Sequence, residues 1–390
     1  MAKGDIAAFR IEELSAGGSG LARADGRFVF ADYTAPGDLV KLIIKDEQKG
    51  WAKGVILEIL EPSMFRIEAP CPLYGKCGGC NLQHINYEAQ LAAKEDILKA
   101  SFSRIGGIET PAISVRASIP WDYRNRVQFH CQSGNRKIIG FMGKKARTVI
   151  PLNDCSASDP GIRKALSGNI IVPPPHKDRF NVYSKDDIFL SEGTNSRGRI
   201  TLGSNPEISL NIDAGVFFQS NARMLELLLE DIKVLAKKSG SGLPLGDIYC
   251  GVGTFAAFLR SEFDEAELVE ENKTALALAK ENTGSLSYRY YGLKTDDWIK
   301  HRKPFAKPWG LMIVDPPRTG LGNTMRQFLA QSSIKTLAYV SCDPATLARD
   351  SKDLIAAGFE LKELGLYDFY PQTSHIESLA VFVRAAKNEK

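Results

Sequence analysis

Gly246-Asp247-Ile248-Tyr249-Cys250-Gly251-Val252-Gly253-Thr254-Phe255 is the stretch on which the reading of the fold turns. It closes an apolar run over 243–249 and opens a helical pattern. Gly251 and Gly253 permit close approach of the backbone to a ligand at the end of a strand. Beyond it, apolar runs at 266–270, 311–315, 337–341 and 379–383 alternate with helical stretches such as 273–281 and 345–357. That alternation predicts a doubly wound α/β sheet from about residue 211 onward.

The stretch departs from the full G-x-G-x-x-G fingerprint, which disfavours a dinucleotide. Glu270 ends the following strand, 19 positions after Gly251, where an acid accepts hydrogen bonds from ribose hydroxyls. With no phosphates to cradle, S-adenosylmethionine fits this pattern at least as well as NAD.

Two further motifs fall at strand ends. Asp315-Pro316-Pro317-Arg318 follows the strand that begins Leu311-Met312-Ile313-Val314, and its prolines fix where Asp315 points. It resembles the target-base loop of nucleic-acid methyltransferases. Ser341-Cys342-Asp343-Pro344 follows Leu337-Ala338-Tyr339-Val340, which puts Cys342 on the same sheet edge. His375-Ile376-Glu377-Ser378 precedes the last apolar strand, from which Glu377 can return to that edge as a base. Cysteine and carboxylate suit one chemistry in particular. A thiolate added to carbon 6 of uracil makes carbon 5 nucleophilic, and a carboxylate then removes the carbon-5 proton so that the thiol can leave.

The N-terminal part has another texture. Asp25-Gly26 before Arg27-Phe28-Val29-Phe30 is a hairpin signal, Ala35-Pro36-Gly37-Asp38 is a turn, and strands follow over 39–45 and 51–60. Several short strands in so few residues suggest a small barrel, either a nucleic-acid carrier or a plain scaffold. A helix is predicted over 87–105 with Tyr87, Leu91, Leu98 and Phe102 on one face. Residues 106–210 are rich in Gly, Pro and short β-like runs.

Seven cysteines, an odd number, argue against a disulfide framework. Cys71-x5-Cys77-x2-Cys80 puts three thiols on a loop whose Gly78 and Gly79 can fold around an inorganic centre, with Cys155 as the fourth ligand. The spacing does not choose between zinc and iron–sulfur.

Composition sets the outer bounds. The 390 residues are 44% hydrophobic and 25% charged, which excludes a disordered chain, a collagen or a coiled coil. No apolar run is long enough to span a bilayer, and the N-terminus carries no apolar signal core. The expectation is a soluble, cytoplasmic protein. The net charge is +4, but 121–150 holds Arg124, Arg126, Arg136, Lys137, Lys144, Lys145 and Arg147 against the single acid Asp122. Such concentration suits a polyanion contact, RNA or DNA, the alternative being a solvated β face.

With Phe217-Phe218-Gln219-Ser220-Asn221, Asp247-Ile248-Tyr249-Cys250-Gly251, Asp315-Pro316-Pro317-Arg318, Ser341-Cys342-Asp343-Pro344 and His375-Ile376-Glu377 in this order, the chain resembles the RNA uridine-5 methyltransferases over nearly its whole length. The resemblance implies three domains: a TRAM-like RNA-binding β-barrel over 1–62, a central domain over 63–210 with an iron–sulfur cluster and an RNA-binding surface, and a Rossmann-like catalytic domain over 211–390. It implies Cys342 as nucleophile and Glu377 as proton acceptor. Gln219, Tyr249, Gly251, Thr254, Glu270, Asp296 and Asp315 are the cofactor contacts so implied, with Asp297 an alternative to Asp296. Thr254 stands where many relatives carry Asn. Cys71, Cys77, Cys80 and Cys155 become ligands of a [4Fe–4S] cluster, which turns the metal reading from zinc to iron–sulfur. The implied activity is S-adenosylmethionine-dependent methylation of a uridine in 23S ribosomal RNA, with transfer RNA as the other substrate. A non-catalytic RNA-binding assembly factor and a methyltransferase acting on an exocyclic amine are the competing readings. No membrane and no obligate protein partner is implied.

Overall fold

The computed structural model describes residues 2–132, 135–144, 148–203, 207–239, 242–284 and 287–385. Strands β1 (Ile6–Arg10), β2 (Glu13–Leu14), β3 (Gly20–Ala24), β4 (Arg27–Ala31), β5 (Leu39–Gln48) and β6 (Trp51–Glu61) form one six-stranded sheet in the order β1-β5-β6-β4-β3-β2. The Asp25-Gly26 turn joins β3 to β4 in antiparallel register, Ala24 opposite Arg27. Alternation along β5 sends Val40, Leu42 and Ile44 inward onto Phe9, Ile11 and Val29, a small core of this module's own.

Helix α1 (Tyr87–Ser101) starts at Asn86, whose side chain accepts from the Ala89 N–H, and widens into a π-helical turn, Phe102–Gly106. Leu98 and Phe102 are fully buried, as expected, but the rest of the buried face differs from the expected one. Gln90, Lys94, Ile97 and Leu98 turn inward, while Tyr87 and Leu91 are half-buried. The two polar residues are matched by partners far along the chain, described below. Strand β7 (Ile113–Arg116) comes next.

A five-stranded antiparallel sheet follows, ordered β10-β9-β8-β11-β12. It comprises β8 (Arg126–Gln132), β9 (Asn135–Met142), β10 (Val149–Pro151), β11 (Arg179–Lys185) and β12 (Ile188–Ser191), with α2 (Pro160–Ser167) packed against it. Strands β13 (Arg197–Leu202) and β14 (Ile208–Asp213) make a separate hairpin.

The rest is α/β: α3 (Ala222–Lys238), β15 (Leu245–Ile248), α4 (Thr254–Phe258), β16 (Ala266–Val269), α5 (Lys273–Thr283), β17 (Tyr288–Tyr291), α6 (Thr295–His301), β18 (Leu311–Val314), α7 (Asn323–Gln331), β19 (Thr336–Ser341), α8 (Pro344–Ala356), β20 (Phe359–Tyr367) and β21 (Glu377–Arg384). Its sheet is ordered β17-β16-β15-β18-β19-β21-β20-β7. The first five strands are parallel and β21 runs antiparallel to β19. Both faces are covered, which is why these strands read as continuous apolar runs. Leu311 and Ile313 face α3, α4 and α5, while Met312 and Val314 face α1, α7 and α8.

The sheet and its layers also recruit pieces from within 63–210. Strand β7 pairs in parallel with β20, α1 packs against α8 and the β20–β7 end of the sheet, and the β13–β14 hairpin joins the opposite core. Four residues of alternating burial carry too weak a pattern to announce an edge strand of a distant sheet.

Candidate active site

Strand β15 is where the order of the sheet reverses, since β16 follows on one side and β18 on the other. A crevice opens at the carboxyl end of such a strand. The chain leaves β15 through three left-handed residues, Tyr249 (φ 64°), Gly251 (φ 55°) and Gly253 (φ 76°), before α4 begins. At Gly253 a Cβ would meet the Ala279 Cβ at 2.9 Å, so only glycine lets α4 and α5 close together. At Gly251 a Cβ would meet nothing within 4 Å, because the backbone borders open cavity. The Gly251 N–H donates to Glu270 Oε2 at 3.0 Å and the Asn272 N–H to Glu270 Oε1 at 2.8 Å, which fixes the carboxylate at the rim.

The cavity measures about 1020 Å3. Gln219, Tyr249, Gly251, Thr254, Glu270, Asp296, Asp315, Cys342 and Glu377 all line it. Asp297 does not; its carboxylate lies 3.5 Å from the Lys300 ammonium on the helix surface. Register explains the meeting of Cys342 and Glu377. Ser341 pairs with Ser378 in the antiparallel β19–β21 ladder, so the residue after Ser341 and the residue before Ser378 stand across from each other.

Electrostatically the floor is acidic. Burial raises Asp315 and Glu377 above the usual carboxylate range, and Asp315 adds to the rise at Glu377. The Gln219 amide hydrogen-bonds Asp315 and opposes that rise. Gln219 Oε1 and Glu377 Oε1 are buried with no protein partner. Unpartnered buried acceptors at a cavity are costly unless a ligand supplies donors. Burial pushes the Cys342 thiol up to about 12, with Glu377 and Asp315 reinforcing and Arg318 opposing. A cationic sulfonium and an amino group suit this acid-lined space.

Several further residues line the cavity. Tyr370, Thr373 and His375 enter from the turn before β21, and Arg124, Arg126 and Phe217 line the cavity as well. An Arg318 nitrogen lies 3.2 Å from His375 Nδ1, and the Arg126 guanidinium sits 5.6 Å from the Phe217 ring centre. No local signal marks Tyr370 or Thr373, whereas Arg124 and Arg126 belong to the basic window. Lys145, Arg147 and the side chains of Arg136 and Lys137 lie outside the described residues.

Gly78 and Gly79 line the same cavity, so the cysteine loop adjoins it. Cys71, Cys77, Cys80 and Cys155 are unbridged and partly exposed, whereas Cys131 and Cys250 are buried. Cys155 and Cys71 act electrostatically on Cys77, and Cys155 and Cys77 on Cys80, so the four thiols are neighbours. The Gly79 N–H points at Cys77 Sγ at 3.4 Å, and a Cβ on Gly78 would meet the Met142 carbonyl at 2.9 Å. Among the described residues no three His, Cys, Asp or Glu side chains converge as ligands of a single ion. Four thiols, with an N–H aimed at one of the sulfurs, are the donor chemistry that a cysteine-bound cluster would use.

A tRNA (uracil-54, C5)-methyltransferase of Pyrococcus abyssi, solved with S-adenosyl-L-homocysteine, shares the fold: TM-score 0.71 at 22% identity, covering 97% of this chain and all of that one. That likeness is one of fold. The family model described as tRNA (Uracil-5-)-methyltransferase matches residues 307–385. An uncharacterized RNA methyltransferase of Treponema denticola is 32% identical over 92% of this chain and 94% of its own. A 23S rRNA (uracil(1939)-C(5))-methyltransferase, RlmD, of Shewanella halifaxensis is 27% identical over 96% and 94%. The chain belongs to the RNA uracil-5 methyltransferase family and is an enzyme of that class.

Proposed function

We propose that the enzyme methylates carbon 5 of a uridine in 23S ribosomal RNA through a covalent bond between Cys342 and carbon 6 of the base. The observation that carries this reading is the meeting of Cys342 and Glu377 across the end of one β ladder, in the cavity that Gly251 and Glu270 border. Likeness to 23S rRNA methyltransferases over nearly the full length supports the choice of RNA.

S-adenosylmethionine, when bound, supplies the electrophilic methyl group. Glu270, Asp296, Tyr249, Thr254 and the open backbone at Gly251 would hold it, with Gln219 and Asp315 between it and the base. Cys342 Sγ, as thiolate, adds to carbon 6, and the electron pair of the 5,6 double bond becomes a nucleophile at carbon 5. Glu377 Oε1 removes the carbon-5 proton after methyl transfer, the double bond re-forms, and the thiolate leaves. Arg318 steadies negative charge on that sulfur. The target uridine must leave its stack to enter the cavity, at a cost of about a few kcal/mol.

The six-stranded N-terminal sheet, residues 1–62, is the TRAM-like RNA-binding module of this reading. Residues 63–210 carry the RNA-facing arginines and a [4Fe–4S] cluster on Cys71, Cys77, Cys80 and Cys155, and residues 211–390 the catalysis. The cluster's part is structural, since methyl transfer moves no net electrons.

Two measurements test the proposal. A Cys342→Ala variant incubated with uridine-containing RNA and methyl-labelled cofactor should incorporate no label, while Glu377→Gln should build up a protein–RNA adduct stable in SDS. Label transferred at full rate by Cys342→Ala would overturn the nucleophile and favour attack by an exocyclic amine. Mapping 5-methyluridine in a strain lacking the gene separates ribosomal from transfer RNA.

A further inference from the structure

The turn that brings Tyr370, Thr373, His375 and Glu377 to the cavity is gripped from behind by the residue that directly follows Cys80. The N–H groups of Asn81 and Leu82 both donate to the Gln372 carbonyl, at 3.1 and 3.0 Å. The Asn81 side chain accepts from the Ser374 N–H at 2.9 Å and donates to Ser374 Oγ at 3.1 Å and to the Gly17 carbonyl at 3.0 Å. The N-terminal sheet closes on the same point. Gly18 is left-handed (φ 79°), and a Cβ there would meet Asn81 Nδ2 at 2.5 Å and Ser374 Cβ at 2.9 Å.

The other side of the turn is held as well. Gln372 and Gln90 of α1 exchange hydrogen bonds: the Gln372 N–H donates to Gln90 Oε1 and Gln90 Nε2 to Gln372 Oε1, each at 3.0 Å. Tyr123 donates to the Pro371 carbonyl at 2.9 Å. Gln372 itself is left-handed (φ 66°), a conformation that costs free energy for a residue with a side chain and persists only where its surroundings over-determine it. A strained residue clasped on both sides, five positions before the proposed base, is an arrangement for aiming a carboxylate.

We infer that Asn81 is a positioning residue through which the Cys77–Cys80 loop sets the place of Glu377, so that removal of the carbon-5 proton depends on the integrity of the cysteine loop. This rests on the covalent reading above, in which the proton leaves after methyl transfer. Loosening the clasp therefore slows the last steps and spares the first, and the methylated adduct accumulates.

The experiment compares Asn81→Ala, Asn81→Asp and Glu377→Gln in the full-length, iron-loaded protein. Asn81→Ala should lower kcat about tenfold or more while KM for RNA stays within about twofold, the signature of lost positioning. Its SDS-stable adduct should rise toward the level of Glu377→Gln, and backbone amides over 372–377 should exchange faster with deuterium. Asn81→Asp keeps the acceptor for the Ser374 N–H and should restore much of the turnover. Chelation of iron from the wild-type protein should speed exchange over the same amides. If Asn81→Ala does not fold, Gly18→Ala, which presses on the same junction, takes its place with the same expectations. Unchanged exchange over 372–377, or a fall in kcat with no gain in adduct while Glu377→Gln does form one, overturns the inference. No adduct even in Glu377→Gln overturns the covalent reading instead, and the exchange measurement still decides whether the clasp exists.

Discussion

Cys342 is surrounded by groups that keep it a thiol. Burial, Glu377 and Asp315 push it up to about 12, and Arg318 is the cation that opposes them. The rate of adduct formation should therefore climb with pH through the neutral range as the thiolate fraction grows. Arg318→Gln should move that climb to higher pH, and each unit of displacement lowers the rate at fixed pH about tenfold. Single-turnover rates across pH check this; an unmoved profile sinks the role given to Arg318. Asp247 offers a separate test. It is fully buried beneath the cofactor turn, faces Asp315 and Glu270, accepts from the Ala256 N–H, and is pushed up to about 7 by burial. A carboxyl whose folded pKa lies above its unfolded one binds more protons folded than unfolded between the two values, so stability falls as pH rises from about 4 to about 7. Asp247→Asn should flatten the pH dependence of Tm over that window. At this scale the sequence is legible for residues whose chemistry is unusual at a strand end, such as Cys342 and Glu377. It is silent about Tyr370 and Thr373, which owe their place to a turn held by distant partners.

Helix α1 shows where a periodic pattern misleads. Its apolar spacing picks out Tyr87, Leu91, Leu98 and Phe102; Leu98 and Phe102 are buried, but so are Gln90 and Lys94, while Tyr87 and Leu91 stay half-buried. The Lys94 ammonium is enclosed with the Asp368 carboxylate at 2.6 Å and also donates to the Tyr370 carbonyl at 3.0 Å. Tyr87 donates to the other Asp368 oxygen at 2.8 Å. These partners are more than 270 positions away in sequence, so no local window contains them. Burial lowers the Lys94 pKa while Asp368 holds it up. Removing one member of such a pair strands the other, and Lys94→Ala should cost about 3–5 kcal/mol in denaturant unfolding. A loss below about 1 kcal/mol would show that water reaches the pair. Strands β15, β16, β18, β19 and β21 of the α/β sheet, by contrast, are legible to within a few residues, because continuous apolar runs bounded by turns have few other solutions, whereas β17 and β20, whose polar and apolar residues mix, are not.

Across the whole molecule, the cavity lies between the α/β sheet and the antiparallel layer, on whose core the cysteine loop packs. The α/β sheet supplies its floor, Arg124 and Arg126 of the antiparallel layer one wall, and Gly78 and Gly79 of the cysteine loop the rim. RNA entering such a space meets fixed cations, so affinity should fall linearly with the logarithm of salt. Arg126→Ala should reduce that slope by roughly 0.7, one phosphate contact on a single strand. Equal slopes for variant and wild type would remove Arg126 from the RNA path. The order of motifs along the chain can be read from the sequence; which layer lends which strand cannot, since pairing across layers leaves no local trace.

The edge strand β7 has a consequence for how the protein comes into being. Ile113–Arg116 emerges early in synthesis, but its partner β20 lies roughly 250 residues later, and β20 in turn borders β21 near the carboxyl end. The catalytic sheet therefore cannot be completed until β20 and β21 have left the ribosome, and no copy acquires a working crevice before then. Excision of the first 117 residues would leave β20 with a bare flank open to intermolecular pairing, so a minimal fragment beginning at 211 should aggregate rather than serve as a portable alkylating module.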